Sequence, residues 1–164
     1  NLAGLEFFMT LFPVVLADNG QESSNPKSVE FFRPNPKHNP TKLERRTWMF
    51  FCDPYRSTQK PHVENNHLLV RRIMPKGASF DQIEQEHVDR AMSHINSYPR
   101  QSLDGKTPYD EFVSFYGDRG REFLERLNIR RISADCVTLD PSLLGPEFKR
   151  EANNAILRRK GVEE

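Results

Sequence analysis

Two short apolar runs, Phe12–Ala17 and Trp48–Cys52, each stop at an aspartate, and the apolar residues after Val63 recur at a helical spacing. That order constrains the chain more than any other feature. The valine and aromatic content of the two runs suits strands, the first of them a buried one. Asp18-Asn19-Gly20 is the turn that ends the first run, and Asp53-Pro54-Tyr55-Arg56-Ser57 is a polar turn after the second. Between them Ser23–Thr47 holds Pro26, Pro34, Pro36 and Pro40, mixed charge and little apolar periodicity. Most of that segment reads as loop, with Val29–Phe32 as a helix end or a strand. The chain is therefore α/β, with a small sheet first and helices after it.

Val63, His67, Val70 and Met74 share one side of a helix that has Arg71 and Arg72 near its end, where cations favour the helix dipole. Pro75-Lys76-Gly77 stops it. Ser79-Phe80-Asp81-Gln82 has the form of a capping box, opening a helix with Ile83, Val88, Met92 and Ile95 as apolar positions and Pro99 at its close. Thr107-Pro108 starts another, with Tyr109, Phe112, Val113 and Tyr116 on one face and Gly117 at its end. Phe123, Leu124 and Leu127 suggest a further helix. Ile129–Leu139 reads as a strand or an extended arm, and Glu147–Lys160 as a terminal helix with a basic end.

A chain of 164 residues can bury one ordinary core, or parts of two small ones. Its hydrophobic content of 36% is low, but twelve phenylalanines argue against disorder. The formal charge of +1 supplies no global field toward nucleic acid, so such binding needs local basic patches. Cys52 and Cys136 make neither a metal-ligand spacing nor a disulfide framework, which suits a reducing cytoplasm, and Cys52 is expected to be a buried, inert thiol. Leu2–Ala17 is interrupted by Glu6, Thr10 and Pro13 and is too short to span a bilayer. No membrane or small-molecule partner is expected.

Asp18 at a strand tip and Glu64 at the start of a helix are carboxylates of the kind a divalent-metal site for phosphodiester chemistry requires. On spacing alone the plainer reading is favoured, a turn aspartate and a glutamate that suits the helix dipole. His62 and His67, five apart, miss the spacing of paired helical zinc ligands, and His87 and His94 read as surface or packing residues. Arg119, Arg121, Arg126, Arg130 and Arg131 interleave with Asp118, Glu122 and Glu125, the pattern of a solvated face with salt pairs.

A longer set of ordered motifs narrows the choice. These are Phe50-Phe51-Cys52-Asp53-Pro54-Tyr55, Gln59-Lys60, Val63-Glu64-Asn65-Asn66-His67, Arg71-Arg72, Pro75-Lys76-Gly77 and Ser79-Phe80. Ser93-His94-Ile95-Asn96-Ser97-Tyr98 and Lys106-Thr107-Pro108-Tyr109 follow. Together they resemble the C-terminal half of the catalytic core of DDE transposases of bacterial insertion sequences, of the IS-thirty type, relatives of retroviral integrases. Leu16-Ala17-Asp18-Asn19-Gly20-Gln21-Glu22 is similar to the Asp-Asn-Gly segment of the same enzymes.

The resemblance implies a partial ribonuclease-H-like (integrase core) fold missing its first strands and followed by helices. Residues 1–116 would be the C-terminal part of that core and residues 117–164 a helical and extended tail. It further implies a three-carboxylate site for Mg2+ or Mn2+, with Asp18 as the second acid and Glu64 as the third. Lys60, Asn65, Arg71, Arg72 and Lys76 would meet DNA, both transposon ends and target. Ala17, Ser23 and Lys60-Pro61-His62 depart from the family's usual Thr, Phe and Lys-Gly-Ser, and the one acid upstream of Asp18 is Glu6. The expectation is a chain that neither cleaves nor joins DNA alone and that tends to self-associate through an open sheet edge. The alternative is a non-catalytic remnant that binds DNA or dimerises through the helices from Ser79 onward.

Overall fold

The computed structural model describes residues 4–18, 20, 24–34, 42–53, 59 and 61–161, the side chains of 61 and 62 aside. Helix α1 (Leu5–Leu11) precedes strand β1 (Val14–Ala17), and helix α2 (Pro26–Glu30) runs into β2 (Phe31–Phe32). Strands β3 (Glu44–Arg45) and β4 (Trp48–Phe51) follow. The helices α3 (Pro61–Ile73), α4 (Gln85–Asn96), α5 (Pro108–Arg126) and α6 (Pro146–Arg159) complete the order. Short 3-10 turns lie at Gln101–Leu103, Ala134–Cys136 and Pro141–Leu144. The chain divides into two compact units, residues 1–61 and 62–164.

In the first unit both expected strands form, and they pair in parallel with Val14 opposite Trp48 and Ala17 opposite Phe51. Two backbone bonds extend the ladder, Trp48 N–H to Pro13 O at 3.1 Å and Cys52 N–H to Ala17 O at 2.8 Å. A parallel pair requires a long crossover, and residues 18–47 supply it. Part of that crossover is a second ladder, β2 antiparallel to β3, so Val29–Phe32 is both a helix end and a strand. Glu30 clips the segment together, its Oε1 accepting from Arg45 Nη1 at 2.8 Å and from the Met49 amide at 3.1 Å. The Arg45 guanidinium also lies 3.8 Å from the Trp48 ring centroid, a cation–π contact.

The first strand departs from expectation in one respect. It is not buried: Val14 is 55% and Leu16 44% exposed, as are Trp48 and Phe50 at 55% and 54%. The apolar pattern selects the strand conformation, but the described residues put no layer over that side of a two-stranded sheet. Cys52, by contrast, is buried as expected.

The core of the second unit gathers Leu69 and Ile73 of α3, Ala91 and Ile95 of α4, Leu144, and Phe148, Ala152 and Ala155 of α6. The α6 residues recur at a helical spacing and form one buried stripe. On α3 the buried stripe is Leu69 and Ile73, with Val70 and Met74 half-buried beside it. Val63 and His67, which the sequence places on the apolar side, are exposed. That corrects the choice of face: about 100° of rotation about the helix axis separates the two sides, and the Leu69–Ile73 surface is the one that finds cover.

The start of α4 is also corrected. The capping-box pattern at Ser79 fails because the Ser79 hydroxyl closes a local turn, donating to Asp81 Oδ2 at 2.7 Å and accepting from the Asp81 amide at 3.1 Å. The helix opens at Gln85 instead, where the His87 Nδ1 accepts from the Glu84 amide at 3.1 Å. Thr107 caps α5 as expected, accepting from the Asp110 amide at 3.0 Å. Gly117 interrupts α5 with φ 60° and ψ −142°, a backbone region open to glycine and hostile to a Cβ. The second half, with buried Gly120 and Leu124, resumes beyond it.

Candidate nucleic-acid interface

Asp18 stands immediately after β1 in the first unit and is exposed. Glu64 stands in the first turn of α3 in the second unit and is likewise exposed. Lys60 lies outside the described residues. Among the described residues no group of three or more His, Cys, Asp and Glu gathers into a metal-holding cluster.

The geometry of α3 follows from its buried stripe. A helix turns about 100° per residue, so Glu64 points away from Ile73, nine residues on, and Arg71 returns to the Glu64 side two turns later, about 10 Å along the axis. Glu64, His67, Leu68 and Arg71 are exposed on this solvent side. Arg72 and Lys76, in the last turn and at the exit, are exposed as well. Among the described residues no carboxylate pairs with Arg71, Arg72 or Lys76. A carboxylate near the positive end of the helix and cations near the negative end both agree with its dipole, so the charge pattern costs the fold nothing.

The later cations are used differently. Arg131 donates to both carboxylate oxygens of Asp110, at 2.7 and 3.1 Å, and Arg126 pairs with Glu122 one turn away. The Arg131 guanidinium holds the Asp110 carboxyl below the usual carboxylate range. These are the salt pairs of a solvated face, tying the arm after α5 to the start of that helix.

The Ser93–Tyr98 motif has a structural use. Residues 129–139 run as an extended arm with a single 3-10 turn, not as a strand, and α4 side chains stand in for a neighbouring strand. Ser93 Oγ accepts from the Arg130 amide at 3.0 Å, Ser97 Oγ from the Ile132 amide at 2.9 Å, and His94 Nδ1 from the Thr138 amide at 3.1 Å. The alternation of 130 and 132 is the two-residue period of extended backbone. His94 is buried, and its Nδ1 must stay unprotonated to accept.

Burial first, and then the neighbouring Arg90 charge, lower the His94 pKa from its ordinary 6.5. The unfolded chain thus takes up a proton here before the folded chain does. Stability from this site is full above pH 6.5 and is lost as pH falls through the lower folded-state value. Thermal melts between pH 7.5 and 5 should therefore fall more steeply for the natural chain than for His94→Asn, whose amide oxygen still accepts from Thr138. Parallel slopes would remove His94 from the account.

A cleft of about 310 Å3 opens in the second unit beside the first turns of α3, with Asn65, Asn66, Asn96, Arg100 and Ser102 in its lining. Sequence reasoning passes over Arg100, because it sits in a polar turn after Pro99 with no periodicity to mark it.

The chain is similar to transposases of bacterial insertion sequences. It is 28% identical over 102 residues to the transposase for insertion sequence element IS4351 of Bacteroides fragilis, covering 62% of this chain and 28% of that one. It is 35% identical over 60 residues to the InsI transposase of Escherichia coli, covering 37% of this chain and 16% of the relative. A putative integrase of a Spiroplasma virus is 25% identical over 99 residues, 60% of this chain and 27% of its own. The chain thus spans less than a third of the length of each of these relatives. No protein-family profile and no solved structure matches it. Among the described residues no helix is long and apolar enough to cross a membrane.

Proposed function

We propose that this chain is part of a transposase-type polynucleotidyl transferase and that its partner is DNA. One observation carries the reading: on the solvent side of α3, Glu64 stands two turns before Arg71, and neither that cation nor the adjacent Arg72 has a counter-ion among the described residues. A carboxylate and unpaired cations on one surface are what chemistry on a phosphodiester backbone requires. The similarity to insertion-sequence transposases supports it.

In this reading residues 1–116 are the distal part of a ribonuclease-H-like core and residues 117–164 its tail. Asp18 and Glu64 are the second and third carboxylates of the metal site. Both are exposed and offer hard oxygen donors, a set that fits Mg2+ or Mn2+ and disfavours soft metals. Such a cation, when bound, supplies concentrated positive charge to the scissile phosphodiester. Lys60, Asn65, Arg71, Arg72 and Lys76 hold the flanking phosphates, giving affinity without sequence choice that weakens as salt rises. Two of the pattern's three acids are assigned here, so the 164-residue polypeptide alone neither cleaves nor joins DNA.

Titration with Mn2+, read by paramagnetic broadening of amide signals, tests the site. Broadening should spread together from the neighbourhoods of Asp18 and Glu64 and vanish at both in the Asp18→Ala, Glu64→Ala double variant. Broadening that survives in that variant excludes these ligands, and broadening around one acid alone excludes a shared site. DNA binding without any response to Mn2+ would favour the second reading, a non-catalytic remnant that binds DNA or dimerises through the helices from Ser79 onward.

A further inference from the structure

The cleft beside α3 has a one-sided chemistry. Among the described residues Arg100 is its sole charged lining residue and no carboxylate lines it; Asn65, Asn66, Asn96 and Ser102 add amide and hydroxyl groups. Arg100 itself is only partly satisfied. Its Nη2 donates to the Ile95 carbonyl at 3.3 Å, while its buried Nε has no hydrogen-bond partner among the described residues. No carboxylate pairs with it among the described residues. Burial also lowers the pKa of its guanidinium from its ordinary value.

A partly desolvated cation with an unfilled donor is costly unless something answers it. The backbone meanwhile holds it in place. The Arg100 amide donates to Lys106 O at 3.0 Å, and its carbonyl accepts from Gly105 at 2.9 Å and from Leu103 at 3.1 Å. The side chain therefore projects from a closed turn that is built before any ligand arrives.

We propose that this cleft is a phosphate subsite for the DNA backbone, with Arg100 as its anion-binding residue and Asn66 and Ser102 as neutral donors at its rim. The inference rests on DNA being the partner of the chain. An arginine takes a phosphate through two parallel N–H donors. The Arg100 guanidinium lines this cleft and keeps donor capacity that its bond to the Ile95 carbonyl does not use. The volume, enough for about ten waters, admits a phosphodiester group with part of its sugar. Asn65 and Asn66 directly follow Glu64 on α3, so a strand seated here runs past the candidate metal ligand.

Binding of the whole chain to a fluorescein-labelled duplex of arbitrary sequence, measured by anisotropy from 50 to 200 mM NaCl, tests this. Neutralising one phosphate contact should cut the slope of log K against log salt by about 0.9. Arg100→Gln should show that reduction and bind several-fold more weakly at low salt, while Arg100→Lys should keep the slope. Asn66→Asp, at an exposed position outside the core, brings a negative charge to the cleft without disturbing packing and should also weaken binding, whether or not Arg100→Gln folds. Natural affinity and slope in Asn66→Asp, or in a folded Arg100→Gln, overturn the subsite. If Arg71→Gln and Arg72→Gln lower the slope in the same assay while the cleft variants do not, the cleft alone fails and DNA remains the partner. A natural chain with no salt-dependent duplex binding removes both.

Discussion

Phe148→Ala is expected to lower the stability of the chain by about 3–5 kcal/mol. Phe148 is 3% exposed and contributes the one aromatic ring to the buried cluster of the second unit. Its helix neighbours in that cluster are Ala152 and Ala155, which have no side-chain reach with which to collapse into the space. Both the lost apolar transfer and the residual void therefore count in full. Against a typical net stability of about 5–15 kcal/mol, such a loss removes a large share of the folded population at moderate temperature. Urea unfolding followed by circular dichroism measures it. Phe148→Leu, which refills most of the volume, should cost about 1 kcal/mol. A loss under 1 kcal/mol for the alanine variant would mean that α6 does not close this core.

Ile73→Ala should cost about 2–5 kcal/mol, and Ile73→Val about 0.5–1.5 kcal/mol. Ile73 is fully buried at 0% exposure, the largest side chain among the described residues to be so enclosed. It anchors the last turn of α3, the helix that presents Glu64 on its opposite side, so its effect reaches function as well as stability. Truncation should raise amide hydrogen exchange along α3 before it does so in α5, because α3 relies on the Leu69–Ile73 stripe for its attachment to the core. Uniform exchange throughout the unit would deny α3 that separate dependence. Ile73 and Phe148 share one cluster, so the double variant should depart from the sum of the single ones.

The parts of this molecule that could be read ahead of its coordinates are those governed by neighbours in sequence. The strand character of Val14–Ala17 and Trp48–Phe51 follows from branched and aromatic side chains between turn signals. The Thr107-Pro108 start of α5 and the break at Gly117 follow from local capping and backbone freedom. The cation order on α3 is visible for the same reason, since a fixed helical advance relates Glu64 to Arg71. Misreadings arose where two local options compete. Ser79 has the spacing of a helix cap, yet its hydroxyl is captured by Asp81 two residues away. Val63 and His67 have the spacing of a buried side, yet Leu69 and Ile73 present the better surface. As for the candidate site, its carboxylates and α3 cations were legible as residue types, whereas Arg100 was not: its meaning depends on a turn folded against α3 and α4.

The chain's own covalent order determined which segments become strand or helix, and which face of α3 bears charge, because those choices rest on contacts within a few residues. Tertiary structure alone decided that β1 and β4 pair in parallel, that Ser93, His94 and Ser97 serve the arm at 129–139, and that Arg100 ends in a cleft with no carboxylate among its described lining residues. Each of these joins groups more than thirty residues apart or sets a side chain's solvation, and both depend on which surfaces meet when the chain closes.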